Sequence, residues 1–180
     1  MAIYTGKGDD GSTRRLGGGR VRKDDPSIEA VGAIDELNAH LGLCLACGGS
    51  GQAGLSRAIE PVQSELFAIG SALSVGTGQP AGEFIGESAV RRLESQIDAT
   101  ASALPELKGF VLPGGCELAC RLHVARAVCR RAERAVAALA GGGFLPVILP
   151  YLNRLGDLLF VLARQANRDA GLGDLPRKPC

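Results

Sequence analysis

A chain of 180 residues with 46% hydrophobic residues has the length and apolar content for one domain with a full core. Its net charge is only +1, which argues against a nucleic-acid binder that works by neutralising phosphates. No apolar run reaches the roughly 20 residues of a membrane span, and the opening MAIYTGKGDDGST lacks the apolar core of a signal peptide, so a cytoplasmic protein is expected.

Residues 1–24 are Gly-rich and basic, without sustained periodicity. Gly6, Gly8, Gly11, Gly17, Gly18 and Gly19 let the backbone curl, and Lys7, Arg14, Arg15, Arg20, Arg22 and Lys23 supply charge. Exposed N–H groups beside cations make a phosphate cradle. The same composition suits a disordered tail. The run GKGDDGST at 6–13 approaches a P-loop, but Ser12 stands where the motif's Lys belongs and no hydrophobic strand precedes it. A Walker-type loop is therefore rejected.

Asp25-Pro26 reads as an N-cap followed by a first helical proline. Ile28, Val31, Ile34, Leu37, Leu41 and Cys44 or Leu45 then recur at helical spacing. Asp35 and Asn38 lie beside that stripe among Gly32, Ala39 and Gly42, where another segment can approach closely. An Arg is the natural partner for a carboxylate so placed; the alternative is an exposed acid. Residues 47–54 break the chain. Ile59, Val62, Leu66, Ile69 and Leu73 mark a second helix, with Pro61 in its first turns or at a kink. After a loop at 76–86, a third helix follows Val90, Leu93, Ile97, Ala101 and Leu104 and ends near Pro105.

The short segment FVLPGG at 110–115 places Phe110 where it either plugs the core or faces a large apolar ligand. A fourth helix spans Cys116 to Ala140, stopped by Gly141 to Gly143. Within it, RAVCRRAER at 126–134 puts Arg126, Arg130 and Glu133 on one stripe at about 100° per residue. Val124, Val128, Ala132 and Ala135 are left to pack on other faces. Guanidinium forks suit phosphate oxygens; a solvated face with i,i+4 pairs would explain the same residues. Pro146 and Pro150 bracket a connection, and a fifth helix begins near Tyr151. Its Leu155, Leu158, Leu159 and Leu162 cover one face. Asn153, Asp157, Phe160 and Arg164 form the other, a candidate ligand or subunit surface.

The expected fold is all-α: an up-and-down five-helix bundle at 25–168, with an arm at 1–24 and a flexible tail at 169–180. The pairs Cys44/Cys47 and Cys116/Cys120 sit in apolar helical pattern, so buried thiols are expected rather than zinc ligands, with Cys180 free in the tail. His40 and His123 are expected to be structural. No Glu is followed three residues later by His, so a ferritin-like metal bundle is set aside and no metal site is expected.

Five motifs now stand in order: YTGKGDDGST at 4–13, KDDPSIEAVGAIDELNAHLG at 23–42, FVLPGG at 110–115, LHVARAVCRRAER at 122–134 and YLNRLGDLLFVLAR at 151–164. Together they resemble the PduO-type ATP:cob(I)alamin adenosyltransferases, over nearly the whole chain. The resemblance implies a homotrimer with ATP, accompanied by Mg²⁺, at the subunit interface. It implies transfer of the 5′-deoxyadenosyl group of ATP to the cobalt of a reduced corrinoid, with release of triphosphate. Further partners would be a flavin reductase or an adenosylcobalamin-dependent enzyme; neither nucleic acid nor membrane is expected.

By the same resemblance, Thr5, Gly6, Lys7, Gly8, Thr13 and Arg14 would contact phosphates, with Lys23 adding charge. Arg130 would bind the triphosphate as it leaves; Arg131, Glu133, Arg134 and Asn153 would line the nucleotide pocket. Asp35 would pair with Arg126 between subunits, and Phe110 and Phe160 would face the corrinoid. Relatives usually carry a basic or neutral residue where Asp10 stands. Cobalt(I) is itself a strong nucleophile, so the protein needs to hold and neutralise an anionic leaving group. A non-catalytic trimeric nucleotide-binding scaffold would be free to vary at Phe110, Asp35 and Asn153; all three are present, which favours the enzyme.

Overall fold

The computed structural model describes residues 3–48, 53–75, 85–107, 109–139 and 145–175. Five helices carry the fold among them: α1 (Pro26–Gly48), α2 (Ala53–Val75), α3 (Glu87–Ser102), α4 (Glu117–Ala137) and α5 (Leu145–Asp169). Before them, β1 (Ser12–Arg14) and β2 (Arg20–Arg22) form an antiparallel hairpin in which Thr13 faces Val21. The expected all-α bundle is present, and the hairpin is an addition to it. Three-residue strands rich in Arg and Ser carry no alternation of apolar residues, so periodicity does not reveal them.

Helix α1 packs between α2 and α4, α4 packs on α5, and α5 on α3. Cross-contacts fix the directions. Asn38 and Gln63 exchange side-chain to backbone bonds at 3.2 Å between antiparallel α1 and α2. Asn153 to Glu133 and Asn167 to Cys116 set α5 antiparallel to α4. Arg154 to Glu94 and Arg168 to Ala103 set α5 parallel to α3. Direction therefore alternates along the chain, as in an up-and-down bundle.

The core is built from the apolar stripes: Leu37, Leu41, Ile59, Val62, Leu66, Ile69, Leu93, Leu122, Leu152 and Leu155 are 0% exposed. Each stripe recurs at three- or four-residue spacing, the condition for one helical face to be buried. Tyr151 is fully buried among them, and its hydroxyl donates to Glu65 Oε2 at 2.6 Å, which also accepts Arg92 Nη2 at 2.5 Å. Burial raises the Tyr151 phenol well above its ordinary value, with Glu65 adding to it.

Helix α1 starts as expected. Asp25 Oδ1 accepts the Ser27 N–H at 2.9 Å, and the Asp25 carbonyl accepts those of Ile28 and Glu29. Other expectations are corrected. Helix α5 begins at Leu145, not near Tyr151, and so contains Pro146 and Pro150. Pro146 lies in the first turn, where its missing N–H would have had no intrahelical partner. Pro150 forfeits the i→i−4 bond to the Pro146 carbonyl, and Ile148 and Tyr151 on either side of it are fully buried. Helix α2 begins at Ala53, so Pro61 lies well inside it rather than in the first turns.

Val124, expected to pack, is 48% exposed, and Cys120, expected to be buried, is exposed one turn before it, because that α4 face turns away from the core. Arg164 is not part of an open ligand face: it is 6% exposed and bound to Asp174 and the Pro105 carbonyl. The tail is described as far as Leu175, and over that length it bonds back through Asp174 and Leu175. Cys180 lies outside the described residues. By length and composition α1 and α5 are apolar enough to cross a membrane, although Glu29, Asp35 and Glu36 interrupt the apolar run of α1 and Arg154, Asp157 and Arg164 that of α5. Both pass that test as helices packed in the core.

Leu37→Ala removes a fully buried side chain and should cost about 2–5 kcal/mol in denaturant unfolding. Phe67→Ala, at a 69% exposed position, should change stability by no more than about 0.5 kcal/mol. Equal losses would contradict the assigned core.

Candidate active site

The arm is a curled cradle. Gly18 (φ 92°) and Gly19 (φ 79°) turn the hairpin in a conformation that side chains disfavour. Gly17 lies so close to the end of α2 that a Cβ there would collide with the Val75 carbonyl. Arg15 ties the hairpin to the bundle through Asp25 Oδ1 at 2.9 Å and Ser27 Oγ at 2.8 Å. The Asp25 carboxyl is held below its ordinary value by Ser27 and then by Arg15.

Thr5, Lys7, Gly8, Ser12, Thr13, Arg14, Gly19, Arg20 and Lys23 line an open cleft of about 700 Å³. Of the arm residues expected to meet phosphates, all but Gly6 are in it. Gly19 and Arg20, among the glycines and cations expected to form the cradle, line it too, and Ser12 is an addition that the fold of the hairpin brings there. Asp10 points its charge elsewhere: Oδ1 accepts Ser12 N at 3.0 Å and Arg20 Nη2 at 3.0 Å. Those bonds, from Ser12 first, hold its carboxyl below the usual range. Asp10 is thus engaged by its own turn, while its neighbour Asp9 is exposed.

At the opposite half of α4, Asn153 Nδ2 donates to Glu133 Oε1 at 3.1 Å, and Asn153 Oδ1 accepts Arg154 Nη1 at 2.8 Å. Arg131 pairs with Glu36 on α1. Arg130 and Arg134 are exposed and make no ion pair among the described residues. Among the described residues, none of those lining the arm cleft belongs to α4.

A third region is apolar. Leu107, Gly109, Phe110, Val111, Arg126 and Phe160 line a cleft of about 490 Å³. Phe110 is 81% exposed, so it does not plug the core. Arg126 Cζ stands 6.0 Å from the Phe160 ring centroid, within cation–π reach. Its Nε is buried and has no partner among the described residues. Asp35 is exposed on α1 and has no partner among the described residues. The structure thus brings Phe110, Phe160 and Arg126 together, and leaves Asp35 apart from Arg126 within the chain.

Sequence reading missed the surroundings of His123. The ring is 5% exposed, tilts 55° against Phe160 at 6.3 Å, and has neither nitrogen hydrogen-bonded. Burial first, then Arg126, lowers its pKa, against a weaker pull from Asp174. Burial likewise raises the Cys44 thiol to about 11 and the Cys129 thiol to about 12. Among the described residues no cluster of His, Cys, Asp and Glu is arranged to hold a metal ion.

The His123 shift sets a sign. An unfolded histidine titrates near pH 6.5, while the folded ring resists the proton. Stability is therefore full above about pH 6.5 and falls as pH drops towards the lower folded value. His123→Phe should flatten the slope of unfolding free energy between about pH 7 and pH 5. An unchanged slope would contradict a neutral buried ring.

Comparison with known proteins gives one answer. A family model described as cobalamin adenosyltransferase matches residues 3–166. The chain is 44% identical over 178 residues to the corrinoid adenosyltransferase of Bacillus subtilis, covering 97% of this chain and 91% of that protein. It is 40% identical over 181 residues to the corrinoid adenosyltransferase PduO of Salmonella typhimurium, covering 99% of this chain but only 53% of that relative. A phenylalanine-to-alanine variant of the PduO-type ATP:corrinoid adenosyltransferase from Lactobacillus reuteri, complexed with cobalamin and ATP, superposes with a TM-score of 0.90 at 36% identity, covering 99% of this chain and 100% of that one. An arginine-to-lysine variant from the same organism, complexed with ATP, gives a TM-score of 0.88 at 37% identity, covering 98% and 100%. With a matching family model over most of its length and relatives above 40% identity, this chain belongs to the cobalamin adenosyltransferase family.

Proposed function

We propose that this protein uses ATP to adenosylate a reduced corrinoid, moving the 5′-deoxyadenosyl group to cobalt and releasing triphosphate. The observation that carries this reading is which cations lack a counter-charge. Among the described residues, Arg15, Arg20, Arg22, Arg91, Arg92, Arg121, Arg131, Arg154, Arg164 and Arg168 are in ion pairs. Lys7, Arg14, Lys23, Arg126, Arg130 and Arg134 are in none, and Arg57 is not one of this set. The first three line the arm cleft, and the last three lie along α4. Positive charge left uncompensated at two loci of a nearly neutral protein fits a polyanion such as triphosphate.

The chemistry follows from these groups. Cobalt(I) of the corrinoid attacks C5′ of ATP; the cobalt–carbon bond forms as the C5′–O bond breaks, and the electron pair leaves on triphosphate. Lys7, Arg14, Lys23 and the arm's N–H groups hold the phosphates in line, and Arg130 neutralises the charge that develops on departure. Thr5, Gly6, Gly8 and Thr13 shape that cradle. Arg131, Glu133, Arg134 and Asn153 border the nucleoside. Mg²⁺ accompanying ATP would add charge neutralisation at the phosphates. Phe110 and Phe160 face the corrinoid and exclude water from one side of it, favouring four-coordinate cobalt(II), which accepts an electron more readily.

The site is completed by assembly. Among the described residues Arg130 does not line the arm cleft, and a neighbouring subunit's α4 would bring the two together in a homotrimer. Asp35 and the half-orphaned Arg126 would pair across the same boundary. The enzyme would work in the cytoplasm, with its electron from a flavin reductase and its product passed to an adenosylcobalamin-dependent enzyme.

Anaerobic incubation with ATP, Mg²⁺ and cob(I)alamin should give the alkylcobalt spectrum, and Arg130→Ala should abolish it while leaving a folded oligomer. Wild-type turnover in that variant would remove Arg130 from its role. Asp35→Asn and Arg126→Gln should each lower turnover, and the double variant should be little worse than either alone. Fully multiplicative losses would contradict the intersubunit pair.

A further inference from the structure

At 81% exposure, Phe110 gains almost no fixed position from the packing of its own ring. Its place is set by where the backbone around it is held, and the holding points come from the last turns of α5. Arg168 Nη1 donates to the Ala103 carbonyl at 2.9 Å, and Arg164 Nη2 to the Pro105 carbonyl at 2.6 Å. Beyond Phe110, Asn167 Nδ2 donates to the Gly114 carbonyl at 2.9 Å, while its Oδ1 accepts the Cys116 N–H at 2.9 Å. One helix therefore grips the chain on both sides of Phe110. The grip is close: a Cβ on Gly115 would collide with the Asn167 side chain.

The segment after α5 closes it from the other side. Asp174 accepts Arg164 Nε at 3.0 Å and Nη2 at 2.9 Å, and the Leu175 carbonyl accepts the Leu112 N–H at 2.8 Å. Arg164 is 6% exposed and Asn167 2% exposed. A guanidinium buried that far needs a counter-charge, and Asp174 supplies it. Among the described residues, the side-chain bonds of these two buried groups run to the chain flanking Phe110 or to Asp174. Phe160, across the cleft from Phe110, lies one turn before Arg164 on the same helix. Both aromatic walls of the cleft are thus referenced to one rigid element.

We infer that Arg164, Asn167 and Asp174 are positioning residues for Phe110, a clamp at the end of α5 that fixes the gap between Phe110 and Phe160. The inference rests on the adenosyltransferase reading above. It predicts that the clamp acts on the corrinoid and not on ATP, because none of its members lines the arm cleft.

The test is a kinetic cycle in the full-length protein with cob(I)alamin and ATP each varied. Asp174→Asn should lower kcat/KM for cobalamin about ten- to a hundredfold, as misplacement of a reacting partner does, with the KM for ATP unchanged. In a Phe110→Ala background the same substitution should change kcat/KM by less than about twofold. An equal fold loss in both backgrounds, or a loss falling on the KM for ATP, overturns the clamp. Should Asp174→Asn strand the Arg164 charge and fail to fold, Asn167→Ala takes its place in the cycle. Amide hydrogen exchange gives a second readout of the clamp. Faster exchange at Leu112 in Asp174→Asn, with α4 unchanged, supports the clamp, and unchanged exchange at Leu112 overturns it. An unvarying cobalamin spectrum in the wild type overturns the adenosyltransferase reading instead.

Discussion

Positive charge held without a counter-charge is the constraint on which the rest depends. A chain with almost equal numbers of acids and bases can neutralise nearly all its cations internally, and most arginines here are so neutralised. Lys7, Arg14 and Lys23 stay unmatched while three of the arm's four carboxylates are engaged elsewhere, only Asp9 being exposed and in no ion pair among the described residues. Asp10 turns to Arg20 and Ser12, Asp24 to Arg22, and Asp25 to the α1 N-terminus and Arg15. The same economy holds on α4, where Arg131 takes Glu36 and Glu133 takes Asn153, leaving Arg130 open. Self-repulsion among such cations is the cost, and a bound polyanion relieves it.

The second requirement is an apolar surface beside the charge. Phe110 and Phe160 supply it, and the fold sets them by different means. Phe160 is carried by a helix whose leucine face is wholly buried, so its position follows from core packing. Phe110 sits on a loop with little burial of its own and takes its position from hydrogen bonds made by Arg164 and Asn167. Arg126 joins the two systems, lining the apolar cleft while extending the row of α4 arginines.

The bundle was legible because helical periodicity and core burial are the same fact seen twice. Ile59, Val62, Leu66 and Ile69 recur at helical spacing and are all fully buried. The arm's residues were legible as chemistry, Gly for curvature and Lys or Arg for charge, and as members of a recognisable motif. The hairpin was not, since the pairing of Ser12 with Arg22 depends on turn geometry at Gly18 and Gly19 rather than on a hydrophobic pattern. The start of α5 was misread because Pro146 and Pro150 signal breaks locally, whereas burial of Ile148 and Tyr151 overrides them. Arg164 was placed on an open face by angular arithmetic alone. Its true environment depends on Asp174, ten residues on, and on Pro105, which no periodicity could have brought to it.

The central claim is that cations of one subunit's arm and of another's α4 serve the same triphosphate. Intersubunit complementation tests it most directly. Arg14→Gln and Arg130→Ala, each inactive alone, would be co-expressed so that mixed oligomers form, and adenosyl transfer measured. If the site spans two chains, mixed oligomers contain boundaries with an intact arm facing an intact Arg130, and activity returns. If mixed oligomers form and remain as inactive as their parents, the two sets of charge do not meet across a subunit boundary.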